Sequence, residues 1–258
     1  MATLERLRVY PVKALDGIDV ESSRFTPGGT LESDREFALF DADGDVVNGK
    51  RTPAVHDLGT AFDPDTYALA VESPDGTRRQ FDLDAESGRR DAEAWFGAYF
   101  DLEISLERDE ANGYVDRRSM GPSVISTATL ATVADWFDEL SVESVRRRMR
   151  ANIEIGGVEP FWEDRFVGAD APAFEIGGVR FDGVKPCGRC VVPQRDPDTG
   201  AETPEFRERF VRKRRETFPE WADETAFEHF YTLMTITTVP ETDRDEMLRV
   251  GDDVSIVE

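Results

Sequence analysis

Three scarce residue types narrow what this chain can do. Of its 258 residues, two are cysteine, two are histidine and four are lysine. Two cysteines exclude a disulfide-stapled scaffold, and 39% hydrophobic with 10% aromatic residues is enough for a packed core without staples. No run approaches the roughly 18 apolar residues of a membrane helix, and no apolar segment follows a basic start, so a soluble, cytoplasmic protein with no membrane partner is expected. Positive charge is also short: 31 Lys and Arg face 54 Asp and Glu, a formal net charge of −23. Such a surface repels phosphates and disfavours nucleic acid as a partner. The acids run along the whole chain, and arginine largely replaces lysine. That composition points to a surface that tolerates or requires strong screening, as in a halophile's protein.

The pattern is mainly β with α, an α+β class. LERLRVYPVKALDGIDVESSRF reads as strands and turns broken by Pro11 and Gly17. EFALFDADGDVVNGKRTP reads as a hairpin, Phe37 and Leu39 on one arm, Val46 and Val47 on the other, turning at Asp43-Gly44. More strands are expected in YALAVESPDGTRRQFDL. Helical spacing appears in DAEAWFGAYF from Asp91, and in TATLATVADWFDEL, where Leu130, Val133, Phe137 and Leu140 share a face behind the caps Ser126 and Thr127. IEIGGVEPF and FEIGGVRFDGV read as strands kinked by glycine pairs. PEFRERFVRKRRETF reads as an amphipathic helix, and TLMTITTV and DDVSIV as closing strands. The second half thus predicts a β barrel or closed sheet edged by helices.

Both cysteines lie in VKPCGRCVVPQRDPDTG, three positions apart and flanked by Lys185, Arg189 and Arg195. A zinc site lacks partners, because His56 and His229 are isolated and distant in sequence. A thioredoxin-like dithiol needs a helix after the pair, and two prolines follow instead. Two readings stay open: a pair of buried small hydrophobes, and a functional thiolate stabilised by neighbouring cations, acting as nucleophile or as ligand to a thiophilic metal.

The runs RANIEIGGVEPFWEDRF and FEIGGVRFDGVKPCGRCVVPQRDPDTG resemble the MOSC domain, the fold of the C-terminal part of molybdenum-cofactor sulfurases. LRVYPVKALDGIDVESSRFTPGGTLESDREFALFDADGDVVNGKRTP resembles the MOSC N-terminal β-barrel domain. Together they are similar to the amidoxime-reducing components and their bacterial relatives. The resemblance implies an N-terminal β-barrel domain over residues 1–95, of which 1–36 pack with the following core, and a MOSC domain over 96–258. It implies a molybdenum cofactor, molybdopterin or its nucleotide form, with Cys190 as catalytic residue and metal ligand. Lys13, Arg35, Arg150 and Asn152 match the family's cofactor contacts, and cations suit the phosphate of such an anion. The implied reaction is reduction of small N-hydroxylated compounds such as amidoximes and hydroxylamino bases, the cofactor carrying the redox step. Electrons would come from a separate ferredoxin- or reductase-type protein. Ala14 departs from the family's serine after the YPVK lysine, and RRSMGPSV departs at the segment shaping the substrate entrance. The membrane anchor of eukaryotic relatives and the appended ferredoxin domain of some bacterial ones are not expected here.

Simpler readings stand beside these. Lys13 also reads as a solvated strand lysine, and Arg35 as an ion-pair partner of Asp34 or Glu36. RRRMR at 146–150 reads as a solvated basic face, Asp196 to Gly200 as a turn bracing the preceding loop, and Phe161 to Asp164 as structural. Cys187 reads as a packed or supporting thiol. The alternative function is a carrier holding molybdenum cofactor, or persulfide sulfur on Cys190, for delivery to other enzymes. A third is a dithiol regulated through a Cys187–Cys190 disulfide.

Overall fold

A computed structural model describes residues 1–117 and 119–257. Arg118, within the RRSMGPSV stretch, lies outside the described residues. In β1 (Thr3–Val9) a bulge between Leu4 and Arg6 keeps Leu4, Leu7 and Val9 all on the buried face. Two short strands follow, β2 (Ile18–Val20) and β3 (Ser22–Arg24). The hairpin expected at the DADGDVV turn forms: β4 (Phe37–Phe40) leads into it, Gly44 adopts φ 79°, and Val47 N–H donates to the Leu39 carbonyl at 2.8 Å.

Three antiparallel strands come next, β5 (Gly59–Asp63), β6 (Ala68–Glu72) and β7 (Arg78–Asp82). Helix α1 (Glu86–Phe100) starts five residues before the apolar spacing announces it, because its first turn carries no apolar residue. It buries Ala92 and Phe96 in a core shared with Val12, Phe37, Leu39 and Leu69. Strand β8 (Ser105–Arg108) then pairs with β4.

The remaining elements build a larger sheet. Strand β9 (Ser123–Ser126) runs into α2 (Thr127–Ala134), capped as expected by Ser126 Oγ, which accepts the Thr129 N–H at 3.0 Å. That helix stops short of the expected Leu140: i→i+3 bonds at Trp136 and Phe137 tighten the turn, and Phe137 stacks on Phe206 at 4.7 Å. Helix α3 (Val142–Met149) follows, then β10 (Ile153–Gly156), which pairs parallel with β9 across the α2–α3 crossover. Strands β11 (Ala173–Ile176) and β12 (Val179–Gly188) form a hairpin, α4 (Phe206–Glu216) intervenes, and β13 (Thr232–Thr238), β14 (Met247–Arg249) and β15 (Val254–Val257) close the chain.

The eight-stranded order is β15-β11-β12-β13-β9-β10-β1-β2. Its ends meet: Thr3 bridges Asp253, and Val254 N–H donates to the Ala2 carbonyl at 2.9 Å. The strands from β1 round to β15 therefore close into a barrel, lined by Leu7, Val124, Ile153, Phe174 and Phe181. The expected glycine kink in FEIGGVRF is instead the two-residue turn of the β11–β12 hairpin. Gly177 and Gly178 have φ 58° and 90°, the left-handed pair such a turn demands.

Two irregularities lead to the cysteines. The β12–β13 register slips between Gly183 and Lys185, placing an extra residue in β12, and again between Pro186 and Gly188, around Cys187, placing an extra residue in β13. A side chain at Gly183 would collide with the Phe166 carbonyl, 1.7 Å from the Cβ position, so glycine is required at this approach. Side chains alternate along a strand, so the extra residue in β12 reverses the faces beyond it. Phe181 points into the barrel, whereas Cys187 joins a second cluster with Met149, Phe206, Tyr231 and Met234.

Candidate functional site

Where β1, α3 and the end of β12 converge on loops of the first hundred residues, they enclose a cavity of about 620 Å³. All five residues singled out in the sequence, Lys13, Arg35, Arg150, Asn152 and Cys190, line it together with Cys187. Eleven lining residues are Lys or Arg against four Asp and no Glu, an excess of seven positive charges in a chain of net −23. Four lining residues that are not glycine, Ala14, Arg35, Arg150 and Met234, adopt φ between 57° and 75°. Such conformations cost about 1–3 kcal/mol each and persist where surrounding structure imposes them, which is characteristic of sites.

Tyr10 organises the cationic wall. Its ring supports the Arg150 guanidinium at 4.0 Å and that of Arg35 at 4.9 Å. Burial pushes the phenol above its ordinary range despite both arginines, and its hydroxyl donates to the Ala151 carbonyl at 3.3 Å. A neutral ring thus holds two cations without cancelling their charge. Arg35 is ion-paired with buried Asp34. Arg150 forms no ion pair among the described residues; burial, aided by Arg35, pushes it down to about 10, so it remains a cation at neutral pH. Its left-handed φ of 59° caps α3 and ends that helix at the cavity.

Lys13 is held by exposed Asp116 at 2.6 Å. Asn152 has a role the sequence did not reveal: its Oδ1 accepts the Ser123 N–H at 3.2 Å and hydroxyl at 3.1 Å, and its Nδ2 donates to the Arg8 carbonyl at 3.2 Å. It bridges β1 and β9 while lining the cavity. His56, the wall's imidazole, is pushed below its ordinary range by burial and then by Arg195 and Arg150, which favours its neutral form.

The cysteines differ in setting. Cys187 is buried, and its sulfur accepts from Arg189 Nη1 at 3.1 Å, with Arg117 Nη1 at 3.9 Å. Cys190 is half-buried and borders the cavity just beyond β12. Arg189 fixes the backbone between them: Nη2 donates to the Met149 carbonyl and its N–H to the Tyr231 carbonyl, both at 2.9 Å. RRRMR is only partly the solvated face expected from its composition. Arg148 is buried; its Nη1 donates to the carbonyls of Pro193 and Arg195 at 3.0 and 2.6 Å, while Arg147 reaches Asp198 at 2.6 Å. Helix α3 therefore clamps the segment that follows Cys190.

The donor set suits an anionic group that brings its own metal ligands. Cys190 offers one soft sulfur, and among the described residues no group of three or more His, Cys, Asp or Glu could hold an ion. Further donors would have to arrive with the metal. Unpaired Arg150, and the buried Nε atoms of Arg189 and Arg195, which have no hydrogen-bond partner among the described residues, suit its negative charge.

Comparison with known proteins agrees with this architecture. The MOSC N-terminal beta barrel domain model matches residues 1–140, and the MOSC domain model residues 120–255. Mitochondrial amidoxime reducing component 2 of Macaca fascicularis is 24% identical over 235 residues, spanning 78% of this chain and 68% of that protein. Its Homo sapiens counterpart is 25% identical over 237 residues, with the same coverage. A molybdenum cofactor sulfurase of Solanum lycopersicum is 21% identical over 299 residues, spanning 97% of this chain but 35% of its own length. Among the described residues no helix is long and apolar enough to cross a membrane. With both models matching in order over a barrel, a cationic cavity and a cysteine-bearing strand end, the chain belongs to the MOSC family and carries the MOSC N-terminal beta barrel domain.

Proposed function

We propose that this chain is a molybdenum-cofactor-dependent reductase of N-hydroxylated compounds. The observation that carries the reading is the meeting of Cys190 with an excess of seven positive charges inside a strongly acidic protein. When bound, the cofactor would supply the two-electron chemistry that removes oxygen from an N–O bond. The chain's own residues bind and orient. Cys190 offers the sulfur ligand, and Arg150 and Arg35 present cations on the Tyr10 ring to the cofactor's phosphate. Lys13 adds charge, Asn152 lines the cavity while its Nδ2 donates to the Arg8 carbonyl, and Arg189 and Arg148 brace the chain on either side of Cys190. The similarity to a sulfurase across 97% of the chain favours a second reading, a carrier that holds the cofactor or persulfide sulfur on Cys190.

Molybdenum and pterin content, measured on wild type, Cys190→Ala and Cys187→Ala purified in high salt from a cofactor-competent host, separates these readings. The reductase should hold near-stoichiometric metal and reduce benzamidoxime. Cys190→Ala should lose metal and activity, and Cys187→Ala should keep a good part of both. Metal-free wild type carrying a persulfide on Cys190 would replace the reductase with the carrier.

A further inference from the structure

Helix α4 is anomalous in this chain. Its eleven residues hold six Lys or Arg and two Glu, although acids outnumber bases overall by 54 to 31. The apolar face is satisfied, with Phe206 and Phe210 buried beneath α2 and β13 and Arg214 paired to Asp164 in the interior. The outer face carries Arg207, Arg209, Arg212, Lys213 and Arg215 with the exposed acids Glu208 and Glu216 among them, and of the bases Arg207, Arg212 and Arg215 are exposed. Only Arg212 and Lys213 reach a carboxylate there, both on Glu216. Arg207, Arg209 and Arg215 have no ion-pair partner among the described residues and rest on the rings of Tyr231, Phe137 and Phe230. Aromatic support fixes these guanidiniums without neutralising them.

The face is also coupled to the cavity. Arg207 lies 5.5 Å from the centre of the Tyr231 ring, and the Tyr231 carbonyl accepts the N–H of Arg189, which immediately precedes Cys190. The basic face is thus one packed side chain away from the Cys190 loop.

We propose that the outer face of α4 is the docking surface for an acidic one-electron redox protein. This rests on the reductase reading, which requires R–NH–OH + 2 e⁻ + 2 H⁺ → R–NH₂ + H₂O. The N–O bond breaks, two reduced one-electron donors are oxidised in succession, and the protons come from solvent. The described residues offer no redox group but two thiols, so the electrons arrive from outside, and an acidic donor is steered to α4. Its six bases and two acids outweigh the three bases and one acid of α3, whose arginines are already engaged by Glu154, Asp198 and the Pro193 carbonyl. At a screening length of about 8–10 Å the donor senses that helix rather than the whole molecule. Eleven helical residues span about 16 Å, and Glu202, Glu205, Glu220, Asp223, Glu224 and Glu228 flank them. Acid so close in sequence at both ends of the helix favours a compact acidic patch over an extended polyanion.

The probe is an acidic plant-type [2Fe–2S] ferredoxin, titrated calorimetrically and then used as electron source for benzamidoxime, with reduced methyl viologen as a donor that needs no docking surface. Arg207→Glu/Arg212→Glu/Arg215→Glu should weaken ferredoxin binding and raise its KM by roughly tenfold or more, leaving the viologen-driven rate within about twofold. The milder Arg→Gln triple variant should fall between and should melt as wild type does. Equal ferredoxin binding by wild type and variants, or none to wild type, overturns the surface. So does a parallel loss with both donors, or charge-sensitive binding to anionic vesicles or DNA in place of ferredoxin. Wild type that binds ferredoxin through these arginines yet reduces nothing with either donor overturns the reductase reading instead.

Discussion

Arg150 shows how one residue can serve the site at the expense of the fold. Its left-handed backbone costs about 1–2 kcal/mol in a residue with a Cβ, and its guanidinium is desolvated without a carboxylate partner among the described residues. Glycine there keeps the helix cap and removes both penalties, while losing the cation–π contact with Tyr10. Arg150→Gly should therefore raise stability by about 0.5–1 kcal/mol and weaken retention of the anionic cofactor, whereas Arg150→Lys should recover retention only in part. Thermal melts with pterin content on the same samples check this, and a variant both less stable and fully loaded would contradict it. Glu163 carries a different prediction. Fully buried, it accepts the Ser126 N–H and the Thr129 hydroxyl, both at 3.1 Å, on Oε2, while Oε1 has no partner among the described residues. Burial, then the charge of Asp164, push its carboxyl up, and burial also raises Asp164, to about 6, against the opposing pull of the adjacent Arg214. A folded pKa above the unfolded one means the folded state binds more protons in between. Stability should accordingly fall as pH rises from the ordinary carboxylate range through neutrality. Glu163→Gln, which mimics the protonated acid, should flatten that slope in denaturant titrations between pH 5 and 8, and an unchanged slope would show that Glu163 is ionised in the fold.

Elements explain what could and could not be read in advance. Strands and helices with a clear period were legible: the DADGDVV hairpin, the α4 repeat of Phe206 and Phe210, and the β13 run. Features set by distant partners were not. Nothing local to FEIGGVRF tells a kink from a hairpin, because both need glycine. The β12 bulge before Cys187 depends on the Phe166 carbonyl passing Gly183, and the expected barrel closes through a strand outside the second half, β1, where Thr3 meets Asp253. At the site, resemblance located Lys13, Arg35, Arg150, Asn152 and Cys190. Composition made Arg148 look solvated, although it is the buried clamp on the chain beyond Cys190. Its loss leaves the Pro193 and Arg195 carbonyls without that donor. Arg148→Ala should cost about 1–3 kcal/mol for the carbonyls it leaves unsatisfied and, in hydrogen exchange, increase exchange selectively in residues 190–200. A cost spread evenly over the protein, with no local change at 190–200, would reduce Arg148 to ordinary packing.

Across the whole molecule two opposed charge patterns coexist, and salt should separate them. The surface behind a net charge of −23 repels itself, and screening shrinks from about 10 Å at 0.1 M to about 3 Å at 1 M salt. Raising KCl from 0.1 to 2 M should therefore stabilise the fold; a gain of about 2 kcal/mol corresponds to roughly 4–8 °C in Tm. Exposed Glu103, Glu139, Glu220 and Glu228 form no ion pair among the described residues. Changing all four to Gln should raise Tm at 0.1 M KCl and leave it nearly unchanged at 2 M. The exposed arginines of α4 respond in the other direction, since screening weakens their pull on an acidic partner. Arg150 and Arg35, set in the cavity wall against Tyr10, are screened least, so cofactor retention should survive salt that abolishes ferredoxin binding. Calorimetric melts across the KCl series, repeated at matched osmolality in sucrose to isolate preferential exclusion, test the whole pattern. If sucrose reproduces the KCl effect, or the quadruple variant keeps the full salt dependence, surface repulsion is not what limits this fold.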